Sequence, residues 1–435
     1  MTISIDPGVG LDVATDAVAR ATKAGADGAK AYHSYAEVFE VNFDTSDVTL
    51  VRSAVRDTLD ITVYDKEMRK GSAQLEGRAH DAVDAAVAQA MDSAGAGQPD
   101  PGNVLPEEQA APATSRGHER PDDEAMVDAV VRLLAGLKTE YPKLRSDLST
   151  YTFSSTWSSY ANSLERVQHA QHGIYQAVVA VTGKDDTKTT SFNYAVATGG
   201  DPIPDILASP IVRRALDITM SSFDARPVPS TFVGDVIFTP EGVETLVQTI
   251  AGGLSGIELM RTTTPYLERL GDTIASPSFS LLHRPSTLAG AVPFDGEGFP
   301  NVDVDIIRDG VLENFIIGWY FSKKLGRPRT TATTDWVIPA GDTPLDDIIA
   351  STERGILLGY YSGNMPTSNL DFSGVAKNSF YVEDGKIVGP LTETMIAGNF
   401  VSVLQAIKAV SSETIDFGTA RFPWVSASGV TISTK

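Results

Sequence analysis

The chain has 435 residues, of which 42% are hydrophobic and 21% are charged, and its formal net charge is -21 at pH 7. These values are typical of a globular protein with about two to four domains. The acidic balance argues against nucleic acid as a partner, because phosphate binding requires clustered Lys and Arg.

Cysteine is absent from the chain, which limits its chemistry. Disulfides, thiolate nucleophiles and thiolate metal ligands are excluded, so a metal ion could be held only by His, Asp or Glu. No run approaches the roughly 18 consecutive apolar residues of a membrane span. The N-terminal stretch lacks the basic and apolar segments of a secretory signal. We therefore expect a cytoplasmic protein that does not bind membranes.

The N-terminal segment alternates helical and strand patterns. An alanine-rich amphipathic pattern predicts a helix over residues 10–32, and alternating apolar residues predict strands at 37–43 and 58–65. A second helix is predicted at about 79–94. The Gly- and Pro-rich stretch that follows indicates a linker, with a domain boundary near residue 110.

The middle segment begins with a predicted helix at about 122–139. Strands are predicted around 148–160, 173–183 and 190–198, before a helix that ends near residue 222. Two prolines in the stretch ARPVPSTFVG then indicate a second domain boundary.

The C-terminal segment opens with a predicted helix over residues 239–260. Thr239 is a suitable N-cap and Pro240 fits the first helical position. Glycines follow at positions 252, 253 and 256, although each costs roughly 1 kcal/mol relative to alanine in a helix interior. They indicate either that the helix packs closely against a neighbour or that it lines a cavity.

The strands of the C-terminal segment are expected to form hairpins. Asp309-Gly310 and Asp384-Gly385 each lie between apolar runs, and Asp-Gly pairs favour tight hairpin turns. The predicted fold class is α+β. Three domains are expected: an N-terminal α/β domain (1–110), a middle α+β domain (111–226) and a C-terminal, mainly antiparallel β domain with packed helices (227–435).

Few residue patterns indicate a catalytic centre. His169 and His172 have metal-ligand spacing, but a predicted strand places residues i and i+3 on opposite faces, which argues against a metal site. Asp295 and Glu297 lie among glycines in the stretch FDGEG, where two carboxylates could divide acid and base roles or could form a solvated turn. The polar loop 363–374 has the same ambiguity.

Several stretches, in this order along the chain, carry a resemblance to a known family. They are AEVFEVNF (36–43), RKGSAQL (69–75), the Asn162-Ser163 pair, PFDGEGFPNVDVDIIRDGVLENFIIGWYFSKKLG (293–326), LDDIIASTERGILLGYYSGN (345–364) and SFYVEDGKIVGPLTETMIAGNFVSVLQAIKAV (379–410). Together they resemble the TldD/TldE (PmbA) family, which forms a heterodimeric zinc peptidase in which only the TldD-type subunit carries the metal.

The resemblance implies which subunit this chain is. In TldD-type subunits, the helix at this place bears H-E-x-x-x-H, with two zinc-binding histidines and a glutamate that activates water. Here the corresponding stretch, 251–260, contains no histidine. The family motif D-D-E-G appears as residues 295–298 (DGEG), and T-G-D-x-S is stretched to residues 367–373 (TSNLDFS). A TldE (PmbA)-type subunit is therefore expected, with no metal of its own and zinc in a TldD-type partner.

The resemblance further implies a non-catalytic subunit of a peptidase that acts on unfolded or modified peptides. Such complexes serve peptide maturation or degradation and natural-product biosynthesis. The residues expected to line the substrate cavity are Gly252, Gly253, Ser255, Gly256, Asn364, Thr367 and Ser368. Two alternatives remain open. The chain could be a homodimeric, metal-independent hydrolase that uses Asp295, Glu297 and His283, or a binding protein without turnover.

Overall fold

The computed structural model describes residues 7–107, 111–146, 148–364, 368–392 and 394–434. Within these ranges the fold is α+β, as predicted, and its strands form two large sheets. No helix among the described residues has both the length and the apolar character needed to cross a membrane.

The first sheet and its helices come from the N-terminal half of the chain. The elements are α1 (Pro7–Lys23), β1 (Gly28–Phe43), β2 (Val48–Tyr64), β3 (Lys70–Glu76), α2 (His80–Ala96), α3 (Asp123–Glu140), β4 (Leu144–Arg145), β5 (Ser149–Asn162), β6 (Val167–Gly183), β7 (Asn193–Gly199) and α4 (Pro210–Ser221). The strand order is β3-β2-β1-β5-β6-β4, with β7 also paired to β6, and all of these pairs are antiparallel.

The helix predicted over residues 10–32 is too long, because α1 ends at Lys23. Gly25 adopts a φ of 102°, a conformation that terminates a helix and that glycine reaches without strain. From Gly28 onward, buried and partly buried residues alternate, so the alanines at 29 and 31 belong to a strand.

The first sheet extends across the boundary predicted near residue 110. β1 pairs with β2 on one side and with β5 on the other, so strands before and after residue 110 share one hydrogen-bonded ladder. The boundary predicted at 226/227 lies after the last strand of the first sheet and before the first strand of the second. The division into three domains stays a prediction.

The second sheet comes from the C-terminal half. Its elements are β8 (Phe232–Phe238), α5 (Pro240–Gly253), α6 (Gly256–Arg261), β9 (Leu281–His283), β10 (Val304–Arg308), β11 (Val311–Leu312), α7 (Trp319–Leu325), β12 (Trp336–Val337), α8 (Leu345–Ala350), β13 (Arg354–Leu358), β14 (Tyr360–Gly363), β15 (Asp371–Lys377), β16 (Phe380–Glu383), β17 (Lys386–Pro390), β18 (Thr394–Asn399), α9 (Phe400–Gln405), β19 (Ile407–Asp416) and β20 (Arg421–Thr434).

The second sheet is mainly antiparallel, with parallel pairing of β8 to β13 and of β12 to β20. Both predicted hairpins are confirmed. Asp309 and Gly310 join β10 to β11 with φ angles of 49° and 82°, and Asp384 and Gly385 join β16 to β17 with 49° and 72°. Two consecutive positive φ angles are the signature of the turn that matches the twist of paired strands.

Helix α5 is held against the second sheet by an apolar face. Val243, Leu246, Val247 and Ile250 are fully buried and belong to the largest apolar core. Their spacing places them on one side of the helix, and full burial of each stabilises the fold by roughly 1.5–3 kcal/mol. The opposite side of α5 is therefore free to line a cavity.

Candidate functional site

The helix predicted over residues 239–260 is two helices in the structure. The predicted start is confirmed, because the Thr239 Oγ1 accepts a hydrogen bond from the Gly242 N–H (3.2 Å). Helix α5 ends at Gly253. The Gly256 N–H donates to the Ile316 carbonyl (2.9 Å), and the Ile316 N–H donates to the Leu254 carbonyl (3.0 Å). These two bonds to a neighbouring segment replace intrahelical bonds and separate α5 from α6.

A cavity of 690 Å³ lies along α5, bordered by the exposed face of the helix and by the core residues Val247 and Ala251. Glu244, Gln248 and Gly252 line it at intervals of four residues, which places them on one helix face. The Gln248 Nε2 donates to the Glu244 Oε1 at 3.0 Å. The facing wall comes from distant segments, and its members are Gly290, Val292, Ile316, Ala332, Thr333, Thr334, Asp335, Trp336, Thr419, Ala420 and Phe422.

Two further cavities, of 410 and 270 Å³, also have Glu244 in their lining. Phe192 and Tyr194 from the first sheet and Tyr360 from the second lie around them with exposed fractions of 58%, 47% and 41%. We call the three connected cavities the α5 cleft. The aromatic residues of this cleft could not be predicted from local patterns, because only the packing of the two halves of the chain brings them together.

The glycines predicted to line a cavity divide into two groups. Gly252 and Ser255 line the α5 cleft. Gly253 is buried, and its carbonyl accepts a hydrogen bond from the Thr264 Oγ1 (2.5 Å). A Cβ atom added to Gly256 would lie 2.5 Å from both the Cβ and the Cγ of Phe321 on α7. Gly256 is therefore needed for close packing, whereas Gly252 lines the cavity.

The polar loop after β14 lies outside the α5 cleft in its described part. Asn364 and Ser368 are exposed and line none of the three cavities. The Asn364 Oδ1 accepts from the Ser373 N–H (3.1 Å), so this side chain shapes its own loop. Thr367 lies outside the described residues.

Asp295 and Glu297 are close together, but their contacts stabilise a loop. The Asp295 Oδ1 accepts from the backbone N–H groups of Glu297 and Phe299, both at 2.9 Å. The Glu297 carboxylate forms an ion pair with Lys30 of β1. The loop of residues 295–298 therefore forms a non-covalent contact between the C-terminal half of the chain and the first sheet.

Further contacts hold the 295–298 loop against the first sheet. The fully buried Arg166 donates from Nη2 to the Gly298 carbonyl (2.8 Å). Gly298 has a φ of 70°, and a Cβ atom there would lie 2.6 Å from the Tyr160 ring. Burial raises the pKa of the Tyr160 hydroxyl, and the negative charge of Glu297 raises it further. The tyrosine therefore stays neutral beside the carboxylate.

His283 belongs to a different cluster. It is fully buried, and its ring nitrogens lie 3.0 Å from the Val302 carbonyl, 2.8 Å from the Thr333 Oγ1 and 3.2 Å from the Asp335 Oδ2. Burial opposes ionisation of Asp335, but hydrogen bonds from His283, Asn301 and Thr333 together lower its pKa. Among the described residues, no hydrogen bond or ion pair joins His283 to Asp295 or Glu297, so the three candidates do not form one site.

The side chains along the α5 cleft do not fit a zinc site. Zinc in proteins is held by imidazole, thiolate and carboxylate groups, and a catalytic site typically has three protein ligands that usually include histidine. The 690 Å³ cavity offers the carboxylates of Glu244 and Asp335, and the 410 Å³ cavity adds Glu241 and the cation Lys377, but no histidine lines either cavity among the described residues. In the described ranges there is no group of three or more His, Asp or Glu arranged to hold a metal.

The paired histidines of β6 are separated, as the strand pattern predicts. The His169 Nδ1 lies 2.9 Å from the Ser159 Oγ, whereas the His172 Nε2 lies 2.8 Å from the Ala289 carbonyl. Each ring therefore has its own partner, on a different part of the fold.

Comparisons with known proteins find similar sequences over most of the chain. The family described as the PmbA/TldA metallopeptidase C-terminal domain matches residues 231–434. The Metalloprotease PmbA of Escherichia coli is 26% identical over 394 residues, covering 87% of this chain and 84% of the relative. The Zinc metalloprotease TldD homolog of Saccharolobus solfataricus is 24% identical over 315 residues, and the aligned region covers 68% of this chain and 70% of the relative.

The fold is also that of a solved structure. The crystal structure of TldE from Thermococcus kodakarensis superposes with a TM-score of 0.82 at 21% identity, over 96% of this chain and 99% of that one. The sequence relatives carry metalloprotease names, and the family domain covers the second sheet and helix α5. Residues 231–434 of this chain therefore match the PmbA/TldA metallopeptidase C-terminal domain, and the chain is similar over most of its length to metalloproteases named PmbA and TldD.

Proposed function

We propose that this chain is a TldE (PmbA)-type, non-catalytic subunit that completes a TldD-type zinc metallopeptidase. The proposal rests on the exposed face of α5. A helix that bears H-E-x-x-x-H presents two histidines, five residues apart, as zinc ligands. Neither α5 nor α6 contains a histidine, and the residues of this segment that line the 690 Å³ cavity are Glu244, Val247, Gln248, Ala251, Gly252 and Ser255.

The shape of the α5 cleft supports a role in peptide binding. Ligand sites are mostly apolar clefts with a few polar groups, and this cleft combines aromatic walls with Glu244 and Gln248. In the proposal, these residues hold an extended peptide chain while the partner supplies the zinc ion that activates water for hydrolysis. The substrates are unfolded or modified peptides, in peptide maturation, degradation or natural-product biosynthesis. A cytoplasmic location stays a prediction.

The proposal assigns zinc to the partner and none to this chain. Dialysed, isolated protein should therefore contain far less than one zinc ion per chain, whereas the copurified complex should contain zinc. A tightly held ion in the isolated chain at one per molecule would contradict this assignment. Gel filtration separates the heterodimer from the alternative, a homodimer of this chain.

A leucine at Gly252 tests the role of the cleft. Gly252→Leu places a side chain into the 690 Å³ cavity, so peptide turnover by the assembled complex should fall by about tenfold or more while the melting temperature stays within a few degrees. Gly95→Leu is the matched control, because a Cβ atom at Gly95 meets nothing within 4 Å at the exposed end of α2. Equal turnover by the two variants would exclude the α5 cleft as the path of the peptide.

A further inference from the structure

A separate pocket of 740 Å³ lies between α7, the segment after it and residues 299–302. Its lining combines basic with apolar side chains. The members are Ala111, Arg166, Phe299, Pro300, Val302, Trp319, Ser322, Lys323, Gly326, Arg327, Pro328 and Arg329. We call it the basic pocket.

The charge of the basic pocket is opposite to that of the whole protein. Among the described residues, four cationic side chains and no carboxylate belong to its lining, although the chain carries a net charge of -21. Concentrating cations in a concave site of an acidic protein focuses a local positive potential there. Such a site attracts anions that the remaining surface repels.

Two of the cations lack a carboxylate partner within the described ranges. Lys323 has its Nζ 4.0 Å from the centroid of the Trp319 ring, and Arg327 has its Cζ 5.1 Å from that of Phe315. The neighbouring Lys324 differs, because its Nζ forms an ion pair with Asp100 at 2.7 Å. The contacts of Lys323 and Arg327 are with aromatic faces, which position a cation but leave its charge uncompensated.

The other two cations form a fixed floor. The Cζ atoms of Arg166 and Arg329 lie 3.8 and 3.9 Å from the centroid of the Phe299 ring. Arg166 also donates to the Gly298 carbonyl, and the Arg329 Nη1 lies 3.6 Å from the Asp295 Oδ2. These contacts hold the floor in place before a ligand arrives, which lowers the entropy cost of binding.

We propose that the basic pocket binds a carboxylate carried on an apolar body, as at the C-terminal end of a peptide. Lys323 and Arg327 would hold the carboxylate through charge-assisted hydrogen bonds, and Trp319 and Val302 would contact the apolar part. The pocket is too small and has too few cations to follow a polyanion. The proposal does not depend on the proposed peptidase role, because it is argued from the charges and contacts of the pocket residues alone.

Binding of a matched pair of peptides tests the proposal. A fluorescently labelled hexapeptide that ends in leucine with a free carboxylate is compared with the same peptide ending in an amide, by anisotropy on the isolated full chain. The free acid should bind about tenfold more tightly than the amide or better, and its affinity should fall with added salt. Equal affinity for the acid and the amide would overturn the proposal, and this comparison needs no variant.

The second arm uses variants with matched charge changes. Lys323→Gln/Arg327→Gln should weaken binding of the free acid by about tenfold or more. The control is Lys66→Gln/Lys386→Gln, which removes the same charge at two exposed lysines outside the pocket and should leave affinity unchanged. Equal losses in both variants would show a non-specific charge effect. Competition by inorganic phosphate as strong as that by acetyl-leucine would contradict the requirement for an apolar carboxylate.

Discussion

Two glycines of α5 and α6 show how differently one residue type can be used. Gly252 faces the α5 cleft, whereas Gly256 meets Phe321. The sequence could predict only that the helix needs small residues here. It could not assign packing to one glycine and a cavity to the other, because Phe321 and the facing wall lie far along the chain.

The two glycines should respond oppositely to alanine. Gly256→Ala should lower the free energy of unfolding by about 1–3 kcal/mol, since the new methyl group overlaps Phe321. Gly252→Ala should leave it unchanged or raise it by up to about 1 kcal/mol, through helix propensity. Urea denaturation of both variants measures the difference. A Gly256→Ala protein as stable as the wild type would show that this packing is wrong.

The ion pair between Lys30 and Glu297 is a second feature at the residue scale. The sequence places Asp295 and Glu297 together in one loop, but their partners were not predictable, because Lys30 lies 267 residues from Glu297. Within the described part of the chain, the buried Oε2 of Glu297 has no hydrogen-bond partner, so the carboxylate depends on Lys30 for compensation.

Removing Lys30 alone should therefore be costlier than removing both partners. Lys30→Met should lower the free energy of unfolding by about 1–3 kcal/mol, because it leaves a partly buried carboxylate without its cation. In Lys30→Met/Glu297→Gln the loss should be smaller than the sum of the single losses. A double-mutant cycle by urea denaturation measures this coupling. Strict additivity would mean that the pair contributes nothing to the contact between the sheets.

At the scale of elements, the sequence predicted helix and strand patterns better than the places where they end. The start of α5 follows from a local cap at Thr239, and both Asp-Gly hairpins follow from turn chemistry. The end of α5 depends on hydrogen bonds to Ile316, which is distant in sequence. The local helix propensity of α5 therefore could not predict where the helix ends. The end of α1 was also mispredicted. The alanine-rich pattern continues past residue 25, but the helix ends before Gly25, which has a positive φ.

The strand register also creates a buried polar row that the sequence does not show. His33 of β1 lies opposite Ser159 of β5, which in turn lies opposite His169 of β6. His33 is 1% exposed, and its Nε2 is 2.9 Å from the Asp57 Oδ1. Burial lowers the pKa of His33 against the opposing effect of Asp57, with a smaller contribution from the positive charge of Arg78.

This row should make stability depend on pH. Burial also lowers the pKa of His169, so both histidines bind protons more readily in the unfolded state than in the folded state. The free energy of unfolding should be highest above the unfolded histidine pKa of about 6.5 and should fall as the pH drops below it. Urea midpoints at pH values of about 7.5 and 5.5 measure the loss, and His33→Gln should reduce it. Identical midpoints for the wild type at the two pH values would contradict the burial of uncharged histidines.

At the scale of the whole molecule, the resemblance read from the sequence agrees with the fold and the family comparisons. Motif spacing alone did not predict that one sheet runs across residue 110, because strand pairing between β1 and β5 is a long-range property. The α5 cleft is likewise a product of the whole fold, since its walls come from both sheets. At this scale, the proposed function depends on which subunit of the two-subunit complex supplies the catalytic groups.

The most direct measurement is hydrolysis of an unfolded peptide by the isolated chain and by its complex with a TldD-type subunit. The isolated chain should show no turnover. The complex should be active, should lose activity when the glutamate of the partner's H-E-x-x-x-H is changed to glutamine, and should keep it when this chain carries Glu297→Gln. Turnover by the isolated chain that resists chelators and is abolished by Glu297→Gln or His283→Asn would contradict the account.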